Sequence, residues 1–268
     1  MTNPVRILLA FIFVLGLNSP ALKAGWIITE VIHDTDSNSA VRNTMYFQDN
    51  LIKCVEESHT VIFDLNNREI TFINPELKVY WKGSLDQYVR KVKEMALEHF
   101  EKELAKASPE ERPYYEAIYE NLKIELEQDS NAVVFHPDVN IEIVMTDESE
   151  SLLGYVARKY EIFENGFLRE ELWLTKEIRL SKDFDAEKFR SFINQMAWGV
   201  MSTDHQAAHE YIHLMQTGLV LRSVEYLDNG LFYRSEVLDV VQKEIPHDMF
   251  SPPEDHQLVR LSDLGLYD

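Results

Sequence analysis

What most constrains the fold is a succession of short β-rich runs, each closed by an Asn/Asp turn. Trp26–His33 (WIITEVIH) is rich in β-branched residues. Asn43–Gln48 and Leu51–Val55 flank Asp49-Asn50, Thr60–Asp64 and Glu69–Ile73 flank Asn66-Asn67, and Lys78–Lys82 (KVYWK) follows. Such runs, spaced roughly 8 to 12 residues apart, predict an antiparallel meander, because strands joined by tight turns pair with their neighbours.

The period then changes. Ser84 and Gln87 form a capping-box pattern, and Leu85, Tyr88, Val89, Val92, Ala96, Phe100 and Leu104 recur at helical spacing. Ser108-Pro109-Glu110-Glu111 opens a second helix, whose stripe is Tyr115, Ile118, Tyr119, Leu122 and Leu126. The two helices predict a hairpin inserted at 84–128. It is either a lid or a helical layer packed permanently on the sheet. Strands resume at Asn140–Thr146, Gly154–Phe163 and Leu168–Lys176, the last two joined by Asn165-Gly166, a strong hairpin signal. Helical segments over Ala186–Met201 and Gln206–Gln216 end at Gly218, placed as a C-cap. A last hairpin, Leu219–Leu227 with Leu231–Gln242, precedes a tail containing Met249-Phe250-Ser251-Pro252-Pro253. The expectation is an α+β fold with a large antiparallel sheet and helices on one face. So wide a sheet must curl, because strand twist accumulates. It would enclose an apolar space beneath the helices, either filled by side chains or left for a ligand.

The N-terminus has the three parts of a secretory signal: Arg6 in a positive start, the apolar run Ile7–Leu17, and the small residue Ala24 before Gly25. The apolar run is shorter than the roughly 20 residues a bilayer-spanning helix needs. We therefore expect residues 1–24 to be a signal peptide and 25–268 a single domain with no stable membrane insertion after cleavage. The protein would be periplasmic or extracellular. Cys54 is the sole cysteine, so no intramolecular disulfide exists. The chain has 26 basic and 46 acidic residues; the first 24 hold two bases and no acid, so the remainder carries −22. That surface repels phosphate backbones and anionic headgroups, which argues against nucleic-acid binding.

One motif raises chemistry. His209-Glu210-Tyr211-Ile212-His213 matches H-E-x-x-H, in which two imidazoles one helical turn apart share zinc and the Glu acts as general base. His205 extends the spacing, so His205, His209 and His213 are the candidate metal ligands of a zinc-dependent hydrolase. The stripe is expected beside the core face and toward water. No third ligand follows at metzincin spacing, and the next acids, Glu225, Glu236 and Asp239, fall on predicted strands. A coincidental, solvated His face competes with the enzyme reading. The sequence has no G-x-S-x-G elbow, phosphate-cradling Gly loop or Cys pair.

Three stretches carry a resemblance. They are KVYWKG (Lys78–Gly83), GYVARKYEIFENGFLREELWLTKEI (Gly154–Ile178) and GLVLRSVEYLDNGLFYRSEVLDVVQKEIPHDMFSPPEDHQLVRL (Gly218–Leu261). The order resembles the bacterial outer-membrane lipoprotein carrier/localisation (LolA/LolB-like) superfamily, and more closely a secreted, β-rich branch of it. The resemblance implies a curled antiparallel half-barrel of about eleven strands with helices over the concave face. It also implies a non-enzymatic exported protein, without cofactor, whose partner is an apolar ligand or a lipidated envelope protein. The long helical hairpin and the acidity depart from the carriers. Candidate pocket residues are inward aromatics: Phe63, Phe72, Tyr80, Tyr160, Trp173 and Tyr233. Period-2 alternation leaves open which sheet face is concave. A third expectation is a structural protein-interaction module with a solid interior.

Overall fold

The computed structural model describes residues 24–34, 39–127, 140–181, 183–196, 204–227 and 230–265. The leader expected at 1–24 lies, except for Ala24, outside the described residues, as does the end of the helix predicted over 186–201.

The strands are β1 (Gly25–Asp34), β2 (Ser39–Gln48), β3 (Leu51–Val55), β4 (Thr60–Asp64), β5 (Glu69–Asn74) and β6 (Val79–Ser84), then β7 (Ile141–Leu152), β8 (Tyr155–Glu164), β9 (Phe167–Thr175), β10 (Leu219–Tyr226), β11 (Phe232–Lys243) and β12 (Gln257–Leu258). They form one sheet in the order β12-β6-β5-β4-β3-β2-β1-β11-β10-β9-β8-β7. The two meanders meet where β1 pairs with β11. The predicted α+β half-barrel with a helical cover is the observed architecture. The twelfth strand is new: β12 adds two residues in parallel to β6, from a tail with no strand periodicity.

Turn chemistry sets the registers. Asp49 and Asn50 both have positive φ, as do Asn165 and Gly166, the geometry whose twist matches that of the flanking strands. The Asp64 carboxylate accepts from the Asn66 and Asn67 backbone amides at 3.0 and 2.9 Å, fixing the β4–β5 turn.

Between β6 and β7 lie α1 (Leu85–Lys106) and α2 (Arg112–Glu127), the inserted hairpin. Both capping boxes form. The Ser84 hydroxyl accepts from the Gln87 amide while the Gln87 side chain accepts from the Ser84 amide, and Ser108 and Glu111 pair likewise. After β9 come α3 (Ala186–Met196), α4 (Asp204–Ala207) and α5 (His209–Gln216). The helix predicted over Gln206–Gln216 is broken at Ala208, whose backbone is extended. Gly218 serves a purpose other than the expected cap: a Cβ there would collide with the Thr175 carbonyl oxygen, so glycine permits a close backbone approach. Among the described residues no helix is long and apolar enough to cross a membrane.

The β1–β6 face beneath α1 and α3 is read directly from the ladders. Trp26, Phe47, Ile52, Phe63, Ile70 and Gly83 form one cross-strand row, and Ile28, Met45, Cys54, Val61, Phe72 and Trp81 the next. Leu85 and Tyr88 of α1 and Phe192 of α3 are buried on them. The rings are edge-on or stacked: Phe63 meets Phe189 and Phe192, Phe72 meets Tyr88, and Phe47 meets Phe184. The opposite face is covered by the tail, where Ile245, Met249 and Phe250 pack with Ile62, Ile73 and Tyr80. A second helix-side cluster joins Tyr160, Ile162, Leu172 and Leu174 to Tyr211 and Leu214 of α5.

Candidate functional site

Where the two meanders meet, the helix-covered face changes character. The regular β1–β2 ladder sets Glu30 opposite Asn43, one row beyond Ile28 and Met45. On the other side a register shift in β11, which leaves Leu238 as the extra residue, brings Val237 opposite Glu30. Alternation along β1 and β2 points Glu30 and Asn43 to the same face as the buried Ile28 and Phe47.

The Asn43 amide donates to Glu30 Oε1 at 3.0 Å. Asn43 is only 7% exposed, and its Oδ1 is buried without a hydrogen-bond partner. Glu30 is half-buried. Burial pushes its carboxyl above the ordinary range; the Asn43 bond offsets part of that, and the charge of Glu56 adds to the rise. The Cys54 thiol is pushed up to about 12, by burial first and then by Glu30 and Glu56. Acceptors thus gather here in apolar surroundings.

The six predicted pocket residues do not share one site. Phe63 and Phe72 are taken up by packing against α3 and α1. Tyr160 belongs to the cluster under α5, and Tyr80 lies on the opposite face under the tail. Tyr233 is exposed. Trp173 stands between two cations, with Lys159 Nζ 5.6 Å and Arg222 Cζ 5.5 Å from its ring centroid. This row, Lys159–Trp173–Arg222, lies on the other side of the pleat from Tyr160 and Leu172. Lys159 pairs with Glu161 at 3.2 Å and with Glu171, which also accepts from the Tyr226 hydroxyl at 2.7 Å. Arg222 pairs with Glu150 at 2.6 Å and Glu236 at 3.2 Å.

The three histidines separate, contrary to the stripe expected to face water. His205 is 1% exposed and its Nε2 lies 3.2 Å from Glu170 Oε2. Its Nδ1 is buried 3.8 Å from a Glu164 oxygen. The break at Ala208 removes the helical phase that would have aligned it with His209 and His213. Those two are exposed and stack at 6.4 Å, with Glu187 3.6 Å from His209 Nδ1. Among the described residues no three His, Cys, Asp or Glu side chains converge as a metal site.

Sequence reasoning missed Glu30 and Asn43. The available signal was a carboxylate at an inward position of a strand otherwise reading Trp26, Ile28, Ile32.

A model for a domain of unknown function, DUF4412, matches residues 114–256. No curated protein matches the sequence. Among solved structures, the chain is similar to PNGF-II at TM-score 0.37 and 11% identity over 90% of this chain and 32% of that one. It is similar to the Pseudomonas aeruginosa MucA/MucB complex structure at 0.37 and 10%, over 89% of this chain and 59% of that one. A LolA superfamily protein from Nitrosomonas europaea scores 0.26 at 8% identity, over 86% and 91%. The chain thus spans about a third of the first of these and about three fifths of the second.

Proposed function

The chain belongs to the DUF4412 family, and we propose that it is an exported, non-catalytic binding protein. It holds a molecule with an apolar part, such as a lipid or a lipidated peptide, between its curled sheet and its helices. The observation that carries this reading is the polar pair in the middle of the helix-covered face. Beneath α1 and α3 the chain's own rings complete the packing. Along β1, β2 and β11 a half-buried carboxyl and an unmatched amide oxygen sit beside Ile28, Met45 and Val237. An unmatched buried polar group costs about 1–3 kcal/mol. An aliphatic residue at position 30 would avoid that cost, and the pair presents to a ligand a half-buried carboxyl and an acceptor without a donor.

Export is supported by the leader pattern of residues 1–24, with the periplasm or the medium as destination. Native mass spectrometry of protein purified without detergent tests the binding. The expected spectrum carries a bound small molecule released by organic solvent, whereas a bare polypeptide mass from every preparation overturns the reading. Cell fractionation tests the location.

A further inference from the structure

We infer that the Glu30–Asn43 pair is a subsite for the primary ammonium group of an alkylamine, a chemistry that rests on the binding reading above and makes it specific. The Asn43 amide spends its donor on Glu30, and what the pair leaves open are acceptors. Glu30 offers a carboxyl with one oxygen already bonded to the Asn43 amide, and Asn43 offers a buried Oδ1 without a donor. The carboxylate of Glu56 adds negative charge from beyond the end of β3, and the Cys54 thiol sits in the adjoining row. What the site lacks is an N–H donor bearing positive charge. Such a group would satisfy Asn43 Oδ1, neutralise Glu30 and answer the field of Glu56 in one contact. An alcohol would meet the hydrogen bonds but not the charge. A carboxylate would be repelled, and a quaternary ammonium would bring charge without a hydrogen bond. The surrounding Ile28, Met45 and Val237 are suited to the methylenes next to the nitrogen. Glu30 is half-buried rather than sealed.

Two sources supply this chemistry, an amine-headed amphiphile and a free small amine. Calorimetric titration of the full-length exported protein with n-octylammonium, n-butylammonium, n-octanol and n-octanoate separates them. Octylammonium is expected to bind at least tenfold more tightly than octanol, and octanoate most weakly. Octylammonium well ahead of butylammonium assigns an amphiphile; equal affinities assign a small amine. Glu30→Gln, close in shape, is expected to weaken octylammonium at least tenfold and leave octanol unchanged, while Asn43→Asp tightens octylammonium. Octanol matching octylammonium, or octylammonium indifferent to Glu30→Gln in a folded variant, overturns the ammonium assignment while leaving the binding reading in place. No binding by any probe, together with a bare native mass, overturns both.

Discussion

Between β2 and β6 the sheet is apolar on both faces, whereas between β8 and β11 one face is apolar and the other sets ion pairs beside buried apolar residues such as Ala157 and Leu221. In the first region α1 and α3 cover one side and the Ile245–Phe250 segment of the tail covers the other. In the second, α5 covers Tyr160 and Leu172, and the reverse of the pleat carries Lys159, Trp173 and Arg222 among five carboxylates: Glu148, Glu150, Glu161, Glu171 and Glu236. Burial of apolar area is the larger stabilising term, and ion pairs near a surface add little. The first region is therefore the anchor of the fold, and the second adds to its apolar contacts matched charges, several on the buried Lys159, that respond to pH and salt. The polar pair at Glu30 lies on the seam between them.

The sharpest break of this comparison is Phe63→Ala. It removes a buried ring that two others contact, and the expected loss is about 3–5 kcal/mol in chemical denaturation. Trp173→Ala, a larger ring in the second region but only half-buried, is expected to cost about 1–2 kcal/mol. Equal losses would deny the distinction. Lys159→Met comes next, at about 2–3 kcal/mol, because it leaves Glu161 and Glu171 without their buried cation. Burial pushes the Glu171 carboxyl up, but the bonds from Lys159 and Tyr226 outweigh it and hold the group below its ordinary range. A carboxyl depressed on folding stabilises above its unfolded value, roughly 4.3, and loses that contribution as the pH falls through the folded one. The gap between wild type and Lys159→Met should therefore stay constant near neutrality and narrow only below about pH 4. Smaller again is Gln48→Ala. The Gln48 amide donates to the Ile245 carbonyl at 3.1 Å and accepts from the Ile245 amide at 3.0 Å, pinning the start of the tail. Losing both is expected to cost about 1–2 kcal/mol and to speed amide exchange at 245–250 before the strands.

The strands and hairpin turns were legible because pleat alternation and left-handed Asn/Asp/Gly positions are local properties. Asp49-Asn50 and Asn165-Gly166 announce their turns without help from the rest of the chain. The tail was not legible, because Ile245, Met249 and Phe250 are buried from a coil and a 3-10 turn with no period to detect. Helical spacing implied that His205 stood with His209 and His213; one extended residue, Ala208, separated them. Residue type alone marks the six aromatic candidates, but which side of the pleat each occupies depends on curvature and register. Tyr80 and Phe72 therefore ended on opposite faces of adjacent strands. Glu30 is hidden in the sequence for a related reason. The carboxylate is unremarkable in a chain with 46 acids until the β1–β2 register shows that it faces inward.

The smallest expected effect, Glu30→Gln, reverses the sign of the others. Its carboxyl is raised on folding, chiefly by burial and then by Glu56, with Asn43 opposing. A raised acid costs stability wherever the unfolded chain is ionised and the folded one resists ionising, that is, above about pH 4.3. Substituting the amide removes that cost, so at pH 7 the variant should be more stable by about 1 kcal/mol. As the pH falls from neutral through the raised value, the wild type takes up its proton and the advantage should vanish. That closure comes at higher pH than the one expected for Lys159→Met, so the seam and the charged face are told apart by the pH at which each variant rejoins the wild type. If Glu30→Gln instead proves destabilising across the whole range, the carboxylate is an ordinary structural partner of Asn43, and the seam is simply part of the core.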